Sequence, residues 1–182
     1  MQISANNISI EVEVSGPENG PVILLTRGLG TQMTEWAESF YNQLECDGYR
    51  VVRYDNRGSG LSEKMGPCET DNILPEPDYT IYDMAADSIG VLDALKIERA
   101  HLLGISMGGM ISQVIAAHYP ERVISLISVM SSAGEADPTE NGSAKATDGL
   151  TAAWPPASDR EEIIAKGIDD CYLYGSRTHR PS

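Results

Sequence analysis

Residues 22–26 (VILLT) are apolar without any alternation. A strand tolerates that pattern only when both of its faces are covered. Similar runs recur at 50–55 (RVVRYD), 100–105 (AHLLGI) and 122–130 (RVISLISVM). Between them lie stretches with helical periodicity: 34–46, with Thr34 as a candidate N-cap, 79–96, where Ile81, Ala85, Ile89, Leu92 and Leu95 recur at helical spacing, and 107–119, closed by Pro120. Buried strands alternating with helices build a mostly parallel sheet with helices on both faces, joined by right-handed crossovers. The expected class is therefore α/β, and chemistry is expected beyond the carboxyl ends of the strands.

The rest of the chain fits around this frame. Residues 8–15 (ISIEVEVS) alternate apolar and acidic and read as an edge strand with one wet face. Residues 56–77 are rich in Gly, Pro and Ser and read as loop. From Ser131 the composition turns to Ser, Gly, Asp, Pro and Thr, and 158–174 reads as one further helix with Ser158 or Asp159 as its cap.

One motif carries chemistry. Gly104-Ile105-Ser106-Met107-Gly108 fits G-x-S-x-G and falls between an expected strand and an expected helix. On such a turn a serine projects its hydroxyl from the top of the sheet, and side chains at the two flanking positions would collide with neighbouring backbone, so both are glycine. The helix starting at Met107 aims its first N–H groups and positive dipole end at any oxyanion formed there. A chance small-residue turn is the alternative; the strand before, the helix after and the additional Gly109 weigh against it.

A serine acyl-transfer site needs two backbone donors for the oxyanion. Met107 N–H is one candidate. Thr26-Arg27-Gly28-Leu29-Gly30 follows the 22–26 strand directly, and Leu29 N–H is the candidate for the other, with Gly28 supporting the turn. Gly28 and Gly30 also begin a dinucleotide G-x-G-x-x-G, but its third position is Met33 and no helix opens directly there.

These segments resemble the α/β-hydrolase superfamily, in its bacterial serine-esterase branch. The resemblance rests on LLTRGLGTQMTEW, VVRYDNRGSGLS, ADSIGVLDAL and AHLLGISMGGMISQVIAAHYPERV, which cover most of residues 20–132. It implies an eight-stranded sheet with a helical cap after the sixth strand. Residues 1–132 would then be the N-terminal part of the core, with its first six strands, and 133–182 the start of the cap and a tail. Many relatives carry His-Gly where this chain has Arg27-Gly28. The donor there is backbone, so the oxyanion hole is expected to survive.

The resemblance also implies a triad in the order serine, acid, histidine, the last two following strands seven and eight. Neither strand is found, so the chain reads as an N-terminal portion, by itself inactive or very weak. His101 stands at the start of its strand, about 16 Å from Ser106 at 3.3 Å per residue. His118 lies twelve residues down the following helix, about 18 Å away. Both read as structural, and His179, in a polar tail, is a weak candidate. Glu135 and Asp137 read as loop surface, and Asp55 as a partner of its own turn. Residues 122–130, lacking a seventh neighbour, would form an open apolar edge through which the chain could associate.

Composition narrows the partners. The chain has 182 residues and a net charge of −14, which disfavours nucleic acid and anionic membrane. Cys46, Cys68 and Cys171 show neither CxxC nor metal spacing, there is no signal peptide or membrane span, and a cytoplasmic location with reduced thiols is expected. No cofactor or metal is implied. The reading is a serine hydrolase acting on a small carboxylic ester or related acyl compound; the alternative is a catalytically incomplete remnant or binding module that keeps the half-fold.

Overall fold

The computed structural model describes residues 1–65, 79–133 and 160–174, the side chains of the last helix through residue 169. The chain divides into two compact units, Met1–Ala133 and Gly134–Ser182. The first holds a six-stranded sheet: β1 (Gln2–Ala5), β2 (Ile8–Ser15), β3 (Val22–Thr26), β4 (Arg50–Tyr54), β5 (Ala100–Ile105) and β6 (Val123–Val129). Their order is β1-β2-β4-β3-β5-β6. The first two junctions are antiparallel and the other three parallel. The α/β class and the mostly parallel sheet are as expected.

The unbroken apolar runs are explained by helices on both sides. Leu24, Val52, Tyr54 and Leu102 join one core cluster with residues of α2 (Ile81–Ala94) and α3 (Met107–His118). Their neighbours Ile23, Leu25, Val51 and Leu103 join a second, with Trp36 and with Tyr41 and Leu44 of α1 (Glu38–Cys46). Alternate residues of one strand thus feed two cores, the period-2 rule applied to a doubly covered sheet.

Two expectations need correction. Residues 8–15 are not the edge strand: β1 takes that place, pairing antiparallel with β2 through a turn at Asn6 and Asn7, both left-handed at φ 48° and 65°. Two successive positive-φ residues make the tight hairpin that matches strand twist, and Asn tolerates that conformation better than most residues. Helix 34–46 is in fact a 3-10 turn, Met33–Glu35, followed by α1 from Glu38. Thr34 is not a cap; Gln32 N–H donates to the Glu35 carboxylate instead, at 2.8 Å. The last helix, α4, spans Arg160–Tyr174, and its proposed caps Ser158 and Asp159 lie outside the described residues.

β6 occupies the other edge of the sheet. Ile124, Leu126, Ile127, Val129 and Met130 are exposed, so this strand is apolar on both faces without being buried on either.

The carboxyl ends of β3 and β4 are tied to each other and to α2. Tyr54, fully buried at the end of β4, donates to Thr26 Oγ1 of β3 at 3.3 Å and shares a 2.6 Å hydrogen bond with Ser88 of α2. Burial pushes the Tyr54 phenol up to about 12 from 10.0, against the opposing effect of its hydrogen bonds to Ser88 and Thr26. The folded state thus holds this proton more tightly than the unfolded chain. Its contribution is fully present below pH 10 and is lost as the pH rises towards 12. Urea denaturation across that range should show wild type losing up to about 3 kcal/mol relative to Tyr54→Phe; the two hydrogen bonds removed by the substitution are a constant offset.

Candidate active site

Ser106 links β5 directly to α3, with φ 56° and ψ −123°. A non-glycine residue in that region carries strain of order 1–3 kcal/mol and persists only where surrounding structure enforces it. The enforcement comes from close packing. A β-carbon on Gly104 would overlap the carbonyl of Gly108, and one on Gly108 would overlap the carbonyl of Thr26 and come within 2.7 Å of that of Arg27. The turn is therefore pressed against β5 on one side and the end of β3 on the other. Gly109 fits as tightly, since a β-carbon there would lie 2.6 Å from Ser131 Cβ.

The Ser106 side chain is exposed, not buried in the core. The Gly28 backbone passes beside it: a β-carbon on Gly28 would lie 3.1 Å from Ser106 Cβ and 3.5 Å from its Oγ. The Ser106 carbonyl accepts from the amides of Gly109 and Met110, at 2.8 and 3.3 Å. The amides of Met107 and Gly108 precede them and have no acceptor within the helix. Gly28 thus lies against Ser106, Met107 follows it in the chain, and Leu29 follows Gly28 and is 72% exposed.

The 27–31 loop is held from several directions. Asn56 Nδ2 donates to the Arg27 carbonyl at 3.0 Å, and Thr31 Oγ1 to the Gly28 carbonyl at 2.9 Å. The Arg27 guanidinium pairs with Glu35 at 3.1 Å and stacks 5.2 Å from the Trp36 ring centroid. Asp55 is buried, accepting the Met33 amide at 2.8 Å and the Leu61 amide at 2.9 Å. It is a partner of its own turn, as read from sequence, and it also anchors the segment after the Gly28 loop.

Arg57 secures the next loop to α2. Its Nε and Nη2 donate to the two Asp87 carboxylate oxygens, each at 2.6 Å, with both side chains under 10% exposed. Asn6 of the β1–β2 turn completes the carboxylate shell at 2.9 Å. The Thr80 hydroxyl and amide donate to Asp83 at the start of α2, which holds the Asp83 carboxyl below its usual value.

A cleft of about 390 Å³ is lined by Leu29 and by Met107, the residue after Ser106, and further by Asn56, Tyr79, Ile81 and Met84 among others. These last four were missed as site residues. Ile81 belongs to the helical spacing of 79–96 and Met84 does not, and which face of α2 meets the Gly28 loop depends on the fold.

The two histidines that can be placed are engaged elsewhere. His101 Nδ1 lies 2.8 Å from Ser125 Oγ at the far end of β5, and His118 packs edge-on against Tyr82 at 5.3 Å. His179, Glu135, Asp137 and Cys68 lie outside the described residues, and Cys46 is an exposed free thiol. Among the described residues no three His, Cys, Asp or Glu side chains gather as a metal site, and no helix is long and apolar enough to cross a membrane.

Comparison with known proteins gives a consistent picture. Residues 21–174 match the family described as alpha/beta hydrolase fold. The rhodomycin D methylesterase of Streptomyces peucetius is 27% identical over 84% of this chain and 54% of its own length. 3-Oxoadipate enol-lactonase 1 of Acinetobacter baylyi is 34% identical over 65% of this chain and 40% of its own. The crystal structure of the enol-lactonase from Burkholderia xenovorans superposes with a TM-score of 0.64 at 29% identity, over 95% of this chain and 58% of that one. The chain spans about half or less of the length of these two curated relatives.

Two measurements test this geometry. Ser106→Gly should stabilise the fold by about 1 kcal/mol by relieving the positive φ, while Ser106→Ala, which keeps the strain, should stay within about 0.5 kcal/mol of wild type; denaturant midpoints distinguish them. Asp87→Ala should destabilise by about 3–5 kcal/mol, because it leaves the Arg57 charge buried without its partner.

Proposed function

The chain belongs to the alpha/beta hydrolase fold family, and on that premise we propose that it is the N-terminal part of a serine hydrolase acting on a carboxylic ester or lactone. The observation that carries the proposal is the exposed Ser106 hydroxyl, held at positive φ ahead of amides with no helical acceptor and beside the Gly28 backbone. Relatives named as a methylesterase and an enol-lactonase support the substrate class.

In this reading Ser106 Oγ attacks the carbonyl carbon and its proton passes to a general base. The carbonyl oxygen becomes an oxyanion held by the N–H groups of Met107 and Leu29. The carbon–oxygen bond to the leaving alcohol then breaks as the base returns the proton to it. Water, deprotonated by the same base, releases the acyl group and restores the serine. Neither His101 nor His118 can serve, since both lie far along their elements from Ser106. The base and its acid partner are expected from residues beyond the 1–132 core, with His179 a weak candidate. Residues 133–182 are proposed to begin a cap over the site.

The engagement of both placed histidines favours a second reading, a half-fold retained for binding. A fluorophosphonate probe separates the two. Phosphonylation mapped to the Ser106 peptide and abolished by Ser106→Ala supports the hydrolase. Labelling that persists in the variant, or absence of labelling once a C-terminal part carrying the base and acid is supplied, supports the binding module.

A further inference from the structure

The cleft lined by Leu29 and Met107 is uneven in chemistry, and that unevenness bears on what it holds. Its apolar wall is built from Leu29 and Met107 next to the proposed oxyanion donors and from Ile81 and Met84 on the first turn of α2. Arg57 also lines it, but the Arg57 Nε and Nη2 are both taken by Asp87, so its charge is already neutralised by a buried carboxylate. The N-terminus of α2 is likewise occupied: Thr80 and Asp83 cap it with their own side chains. Among the described residues, an anionic group entering this cleft would meet no uncompensated cation, in a chain whose net charge is −14. It would lose hydration without gaining a partner, and such burial is strongly unfavourable. A methylene group entering the same space gains about fourfold in affinity.

We propose that this cleft receives an uncharged, apolar substituent of the ester, and that Ile81 and Met84 set the preference for it over a carboxylate-bearing substituent. The inference rests on the reading of Ser106 as nucleophile and narrows its substrate class. A cavity of about 390 Å³ suits a chain or ring of moderate size.

The test uses three fluorophosphonates with the same reactive phosphorus: an ethyl, an octyl and an ω-carboxyheptyl ester. The second-order rate of Ser106 labelling is followed for each by intact mass. The octyl reagent should react at least tenfold faster than the ethyl one, and the carboxylate reagent no faster than the ethyl one. Ile81→Trp, which fills the cleft, should bring the octyl-to-ethyl ratio close to one. Ile81→Ala, which removes wall without adding bulk, should lower the ratio by a smaller factor and covers the case in which the tryptophan disturbs folding. Equal octyl and ethyl rates in wild type, a carboxylate reagent that reacts fastest, or a ratio unmoved by both variants would overturn the inference while leaving Ser106 as nucleophile. Failure of all three reagents to label wild type would overturn that reading and the inference with it.

Discussion

The geometry of the site depends on three chain segments packed too closely for side chains. Gly104 at the end of β5 abuts the Gly108 carbonyl, and Gly108 in turn abuts the carbonyls of Thr26 and Arg27 at the end of β3. With no room to relax, the residue between them has to adopt a backbone conformation that serine disfavours. The same closeness leaves Gly28 so placed that a β-carbon there would lie 3.1 Å from Ser106 Cβ. The positions of Ser106, the start of α3 and the Gly28 turn are therefore set by backbone packing.

Around this contact the molecule spends its buried polar groups on holding loops. Asp55, Asn56 and Arg57 are consecutive, all buried, and each acts in a different direction. Asp55 grips its own turn and the Met33 amide, Asn56 reaches the Arg27 carbonyl, and Arg57 pins the loop to Asp87 of α2. Buried polar groups this well satisfied rigidify their surroundings. Arg27, where many relatives carry histidine, is accommodated by Glu35 and Trp36, so its charge is directed to its own loop.

The sequence made the buried strands, the helices on both faces and the serine turn legible, because each has a local signature: unbroken apolar runs, helical spacing, and glycines flanking Ser106. β1 was not seen. Four residues carry little periodicity, and the sign of the hairpin, Asn6-Asn7, is weaker than the usual Asn-Gly. The start of α1 was misplaced because Thr34 resembles a cap, whereas the chain makes a 3-10 turn first and begins the helix after Ala37. The cleft could not be read at all. It forms where Ile81 and Met84 of α2 meet the loops after β3 and β4, a meeting set by tertiary packing and by the Arg57–Asp87 pair.

The proposed chemistry requires Ser106 Oγ and the amides of Leu29 and Met107 to converge on one point in space. The most direct measurement is a crystal structure of the chain with a phosphonate bound covalently to Ser106. The phosphoryl oxygen should lie within about 3 Å of both amide nitrogens. An adduct whose oxygen points to solvent, or to neither amide, would contradict it.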